Sequence, residues 1–529
     1  MPKRKMLTIL LLFVLLLAAA GCRNAAVSGG TGGFVSGGAV VIGLREEPAN
    51  LNPLVWRPVD DVDAGSLIFS GLFRRNEANE VVPDLAAIIP SAANGGITVD
   101  GAGMTVIYRL RADVAWHDGA PFTADDVVFT GEACRDAAAV DTRYGVYAAV
   151  TEIQALNAQT VRVRLSRRDI EVTDLFDRII PAHLLRESED MSRDSFSRSP
   201  VGTGPFRFTA WTPRDRIVLR ANSAYYGEGP YLDAIIFELL PDATAGLNAL
   251  KTGQIDLCPH LDPGQTAGLA ETYGVNLHPL PSRRLDALVF RSGSLADIRV
   301  RQAMAAALDR DDLVAMAYNG FGRAAGGFRP EDVADGAARN LARSAQLLSE
   351  AGWQPGEDGI RTRYGVRLRV GCIVAAGDAV QEQAAEQMAA QMREAGIEFV
   401  PIPLATTEYT AAINGGTFET ALIQYDLPAE FDPYRLWHSS QVPPAGQNYG
   451  RFRNTQIDLQ LKEARALADP AVREQEYEAI RMEVAEALPA IPLVFPAAVD
   501  AAGGRLQNYR PGETDRLWNA AQWRAGVPE

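Results

Sequence analysis

Two periodicities divide the chain. Met104–Arg111 reads MTVIYRLR, which puts Val106, Tyr108 and Leu110 on one face and Arg109 and Arg111 on the other. TVRVRLS repeats the pattern, with Val161, Val163 and Leu165 set against Arg162 and Arg164. A period of two predicts half-buried strands, and VVIGLR, DRIVLRAN, AIIFELL, RLDALVFRS, RLRVGCIV and TALIQYD read as further strands. Helical spacing lies between them. FTADDVVFTGEA opens at Thr123 with Asp126 three residues on, close to a capping box. DIRVRQAMAAALDRDDLVAMAYNG carries Val300, Met304, Ala307 and Leu308 on one side and stops at Asn319–Gly320, a pair suited to a left-handed end. AVQEQAAEQMAAQMREAG places Val380, Ala384, Met388 and Met392 in one stripe, read as core filling, and ends at Gly396. DPAVREQEYEAIRMEVAEAL starts with Asp469 as cap and Pro470 in the first turn. Strands alternating with helices predict an α/β class, with no internal repeat.

The first residues follow a different pattern. Leu7 to Ala20 is apolar except for Thr8, and Lys3, Arg4 and Lys5 precede it. That is shorter than the ~20 residues of a spanning helix and matches the core of a signal peptide. Ala19, Ala20 and Gly21 then lead into Cys22. LLLAAAGC resembles the lipobox of bacterial lipoproteins, whose cysteine is acylated and becomes the first mature residue; alanine stands where leucine is usual. The alternatives are an ordinary signal peptide with an incidental cysteine and an uncleaved anchor. Arg23 to Gly38 is Gly/Ser-rich, a flexible tether with a reach of roughly 20–25 Å.

Composition narrows the function. The chain has 529 residues, long enough for two or three domains. Apolar residues make up 47% and charged residues 22%, the balance of a water-exposed globular body. The formal charge is −15, and −18 once the leader's three cations are removed. No basic tract is present, so nucleic acid is not an expected partner. ALPAIPLVFPAAV is too short and too proline-broken to span a membrane. Beyond Cys22 only Cys134, Cys258 and Cys372 remain, more than 100 residues apart. Buried thiols are the expectation, and a Cys258–Cys372 bond stays open.

Catalytic signatures are missing. There is no G-x-S-x-G, no H-E-x-x-H and no P-loop. VGTGPFRF holds Gly202 and Gly204 without the third glycine of a dinucleotide fingerprint. His117, His183, His260, His278 and His438 are scattered, and His117 in WHDG reads as a turn residue. The expectation is a binding protein with no cofactor and no metal site.

Four stretches carry a resemblance. Met104–Ala133, Pro200–Leu257 (with its G-T-G-P, N-x-x-Y-Y and G-x-I-D), Asp297–Val314 and Ala342–Trp353 (LLSEAGW) together resemble the family 5 extracytoplasmic solute-binding proteins, receptors of ABC importers. The resemblance implies an α/β, two-lobed periplasmic-binding-protein-like fold of type II, with an extra domain inserted in the first lobe. The boundaries it implies are a signal peptide over 1–21, a tether over 22–38, a split domain from 39–60, 182–280 and 493–529, an inserted domain over 61–181, and a second lobe over 281–492. It also implies a peptide or small-molecule ligand held between closing lobes, delivery to a membrane permease, a monomer, and an extracytoplasmic location with the membrane reached through lipid on Cys22. The family's ligand-amine segment corresponds to QYDLPAEFDPYRLW. There Tyr425 takes an aromatic place and Glu430 stands for the amine-binding acid, with Asp432 and Asp426 as rivals. By position, Glu47, Tyr144, Tyr147, Tyr409 and Phe495 are further ligand candidates. Open alternatives are a nickel chelate, opine, oligosaccharide or antibiotic in the same fold, a sensor that does not transport, and an envelope hydrolase.

Overall fold

The alternating segments assemble into three large sheets. The computed structural model describes residues 37–54, 64–101, 103–137, 142–168, 170–188, 195–293, 295–332, 339–427, 431–467 and 470–526. The leader, Cys22 and the tether up to residue 36 therefore lie outside the described residues. So do Glu430, the expected cap Asp469 and the side chain of Tyr144.

The first sheet has seven strands drawn from both ends of the chain. Their order in space is Asn276–Leu280, Ala498–Ala502, Leu257–Leu261, Ala39–Leu44, Ala234–Leu239, Arg216–Ala221 and Phe206–Thr212. Ala39–Leu44 runs parallel to both of its neighbours, and Ala498–Ala502 returns antiparallel between Leu257–Leu261 and Asn276–Leu280.

Inserted between these strands is a four-stranded antiparallel sheet of Ile97–Asp100, Gly103–Arg109, Thr160–Leu165 and Val150–Asn157. Val106, Tyr108, Val161 and Val163 are fully buried, whereas Arg109 and Arg164 face solvent. The period of two thus sets which face meets the helix Ala124–Ala137.

The third sheet runs Gly322–Ala324, Ala490–Pro496, Arg284–Phe290, Thr420–Asp426, Arg369–Ala375 and Glu398–Leu404. Its central strands are apolar on both faces because both faces are covered. Helices Ile298–Ala307 and Ala379–Glu394 pack on one side, with Met304, Met388 and Met392 fully buried in that core. Helices Thr455–Arg465 and Pro470–Ala487 pack on the other.

The chain passes between the first and third sheets twice. It leaves through Pro281–Arg283 and returns at Ala497, between strands Ala490–Pro496 and Ala498–Ala502. The Ser282 hydroxyl donates to the Pro496 carbonyl, tying the two crossings together. The strand that a boundary at 493 would divide stays in the third sheet to Pro496, where Phe495 and Pro496 still pair with Arg323 and Gly322.

The single helical stretch expected from Asp297 to the stop at Asn319–Gly320 is two helices, Ile298–Ala307 and Arg310–Ala317. Leu308 is extended (ψ 134°), and the Asp309 carboxylate accepts the Asp312 N–H, so a capping aspartate restarts the helix. The stop at Asn319–Gly320 is left-handed as expected (φ 50° and 78°). Cys134, Cys258 and Cys372 are all free and buried, which closes the question of a Cys258–Cys372 bond. Burial pushes their thiols up to about 12, 11 and 12 respectively.

Two of the diagnostic stretches form a single joint. A Cβ on Gly202 would lie 1.9 Å from the Ile68 carbonyl oxygen, and one on Gly204 would lie 2.4 Å from that of Leu67. Only glycine permits this approach to the helix Ala64–Ile68. The WHDG turn closes over the same loop, where the Gly202 N–H donates to His117 Nδ1 (3.2 Å) and His117 Nε2 lies 3.0 Å from the Gly204 carbonyl. A ring that accepts at Nδ1 and donates at Nε2 is one neutral tautomer, and burial holds its pKa down at about 4. Nearby, Asp126 of TADDV accepts N–H bonds from Thr123 and Ala182, which joins the helix start to the chain's exit from the inserted domain.

Candidate functional site

Above the two crossings lies a cavity of about 1140 Å³. The first lobe supplies Arg45 beyond its first strand, Arg74 and Arg75 on the short strand Phe73–Arg75, Asp84, Tyr147, Tyr225 and His260. The crossings supply Pro281–Arg284 and Pro496–Ala498. From the second lobe come Asp426 and Leu427, and the C-terminal stretch Glu513–Trp518 closes one side. Seven arginines and seven carboxylates line the space. With the charges balanced, local pairing governs recognition more than an overall field.

Several pairs are visible. Arg75 meets Asp174 at 3.2 Å. Arg284 of the second lobe meets Asp262 of the first at 3.4 Å, so one ion pair bridges the lobes beside the crossings. Both partners are nearly half exposed, which limits such a pair to about 0–1 kcal/mol. Deeper in the wall, Asp500 is fully buried and accepts from Arg516 Nη1 (2.6 Å), the Tyr509 hydroxyl (2.6 Å) and the His260 N–H (3.0 Å). Arg516 also donates to His260 Nδ1 (3.2 Å). These bonds hold His260 in a left-handed backbone conformation (φ 58°). Asp84 is buried and accepts from the Tyr226 hydroxyl (2.6 Å), and desolvation pushes its pKa up.

The expected ligand residues separate into groups. Tyr147 lines the cavity, and its hydroxyl accepts the Phe176 N–H (2.7 Å). Glu47 is not in the lining; its carboxylate accepts from Trp211 Nε1 (2.7 Å), and Arg198 lies 3.9 Å above that indole. Tyr425 is buried against Phe328 and Tyr449, while the next residue, Asp426, turns to the cavity as strand alternation requires. Tyr409 donates to the Leu422 carbonyl from within the second-lobe core. Asp432 is engaged by the Tyr434 N–H (3.0 Å), the Tyr477 hydroxyl (3.3 Å) and Arg465 (3.4 Å), away from the lining. Phe495 is buried, and its neighbour Pro496 reaches the cavity. Sequence reasoning missed Arg74, Asp84, His260, Arg284 and Arg516. The available signals were doubled arginines at strand ends, FRR and SRRLD, and the late ETDRLW.

Among the described residues, no group of three His, Cys, Asp or Glu side chains is placed to hold a metal ion. No helix among them is long and apolar enough to cross a membrane.

The model of the bacterial extracellular solute-binding proteins, family 5 middle region, matches residues 80–445. The chain belongs to this family. It is 27% identical to the oligopeptide-binding protein AppA of Bacillus subtilis, over 99% of each chain. Protein XP55 of Streptomyces lividans is 31% identical, covering 85% of this chain and 82% of that one. Among solved structures, AppA of Bacillus subtilis in complex with a nonapeptide superposes with a TM-score of 0.57 at 25% identity, covering 94% of this chain and 100% of that one. NikZ of Campylobacter jejuni with Ni(L-His) gives 0.63 at 24% identity, covering 92% and 99%. The fold is that of a type II periplasmic binding protein of family 5, and such proteins act outside the cytoplasm.

Proposed function

We propose that this family 5 protein is a lipid-anchored receptor that encloses a short peptide between its lobes and delivers it to the permease of an ABC importer. The observation that carries this reading is the cavity of about 1140 Å³ over a two-strand hinge, walled by both lobes. Ligand sites span roughly 300–1,000 Å³, so this one, at about 1140 Å³, lies just above that range, with room for a peptide of a few residues. A hinge with two crossings lets Asp426 and Leu427 approach Arg45, Arg74 and Tyr147 as the lobes close. The likeness to AppA supports a peptide as ligand. In this reading Cys22 carries the lipid, residues 22–38 hold the body near the membrane, and the receptor acts as a monomer that releases its ligand unchanged.

Mass spectrometry of ligand retained through mild purification tests the reading, together with thermal unfolding in a pool of short peptides. At a hundredfold excess over Kd, binding stabilises by about 2.7 kcal/mol. A pool that shifts nothing, with no retained peptide, refutes it.

A second reading rests on the arginines of the wall. A chelate bearing carboxylates would suit them, and NikZ is a neighbour that holds Ni(L-His). Without a donor cluster among the described residues, a metal would arrive already chelated. Metal analysis of the retained fraction separates the two readings.

A further inference from the structure

Three arginines of the cavity wall are matched to acids: Arg75 to Asp174, Arg284 to Asp262 and Arg516 to Asp500. Arg74 is not matched. Its Nη1 makes one long bond to the Trp518 carbonyl (3.4 Å), and its Nε is buried without an acceptor. It forms no ion pair with any described residue. A guanidinium offers five donors and stays charged throughout the physiological range. Arg74 is half-buried, and its Nε–H, turned away from water without an acceptor, is unfavourable unless one arrives.

The acid that acts most on Arg74 is Asp84. That carboxylate is already committed to Tyr226 (2.6 Å), and burial shifts it toward its neutral form. Arg74 therefore faces the cavity without an ion-pair partner, with Asp84 and Asp515 as the nearest acids acting on it. Its position is also fixed. The guanidinium carbons of Arg74 and Arg510 lie 6.0 and 5.7 Å from the Trp518 ring centroid, and the indole N–H donates to the Arg510 carbonyl (2.6 Å).

We propose that Arg74 is a first-lobe subsite for a carboxylate of the ligand, with Trp518 as a positioning residue. This rests on reading the cavity as the ligand site. An arriving carboxylate takes up unused donors and neutralises the cation in one step, a charge-assisted bond stronger than its neutral counterpart.

The test uses the full chain and two pools of random peptides of two to nine residues, one with free C-termini and one amidated. Binding is read by calorimetry and by mass spectrometry of the retained peptides. The wild type is expected to prefer the free-acid pool by about ten- to a hundredfold. Peptides retained from the amidated pool should carry Asp or Glu, which would assign the carboxylate to a side chain instead of the terminus. R74Q is expected to erase the preference and R74K to restore part of it, with the variants' thermal melts confirming that they fold. Equal affinity for both pools without enrichment of acidic peptides overturns the inference, as does a preference that R74Q leaves intact. If the wild type binds neither pool, the peptide-receptor reading falls and this inference falls with it.

Discussion

Removing Arg516 should unfold the first lobe's return strand far more easily. Asp500 is 0% exposed and Arg516 6% exposed, so neither charge has recourse to water. The carboxylate is held by Arg516 Nη1 at 2.6 Å, the Tyr509 hydroxyl at 2.6 Å and the His260 N–H at 3.0 Å. Arg516→Met keeps most of the side chain's apolar stem and deletes only the cation. Two neutral donors then face a buried anion. Breaking a buried pair by removing one partner costs about 3–5 kcal/mol, because the other charge is left uncompensated. Hydrogen exchange localises the effect: amides of Ala498–Ala502 should lose protection by that amount, while those of Arg369–Ala375 in the second lobe serve as the internal reference. Asp500→Asn in the same background should recover at least about 1 kcal/mol relative to the sum of the single changes, since the two residues act as one unit. A loss below about 1 kcal/mol for R516M, or strict additivity with D500N, would refute the assignment of this network as a charged clamp.

Three other outcomes follow from features described above. His117 is held at about 4 by burial, below the ordinary 6.5, so the unfolded chain takes up its proton first as pH falls. Stability present above about pH 6.5 is lost between there and pH 4, and His117→Asn should shrink the difference in urea stability between pH 7 and pH 5 by about 2 kcal/mol. Gly202→Ala places a methyl 1.9 Å from the Ile68 carbonyl and should cost upwards of ~3 kcal/mol or abolish soluble protein; Gly145→Ala, with nothing within 4 Å, should leave the melting temperature nearly unchanged. Cys22→Ser should stop incorporation of labelled fatty acid and release the protein from membranes, as seen by fractionation; retention of label elsewhere would count against the anchor.

What could be read in the chain was what repeats locally. Val106, Tyr108 and Leu110 reveal their strand because alternation is written in six consecutive residues, and the Met388–Met392 stripe reveals a core face in the same way. The split at Leu308 was hidden because Asp309 sits inside an otherwise helical spacing, where its capping role depends on one ψ angle. Pocket positions were harder still. Tyr147 does reach the cavity wall, but Glu47 and Asp432 belong to networks with Trp211 and Arg465 that only distant chain segments create. Arg74, Arg284 and Arg516 are brought to one cavity from positions 74, 284 and 516, and no local period marks such a meeting. The G-T-G-P and WHDG stretches, by contrast, were conspicuous in sequence because they build a joint between elements, and the cavity lining takes little from them.

One wall of the cavity, Glu513–Trp518, and the strand beside it, Ala498–Ala502, follow the whole third sheet as the chain emerges. Residues 39–44 must therefore wait beside Leu257–Leu261 until more than two hundred further residues have appeared before their sheet gains its two outer members. A chain lacking Ala498–Trp518 carries an unfinished mouth, however well its second lobe has folded. The mouth of the cavity is thus a late product of the chain, assembled only after the whole third sheet has been made.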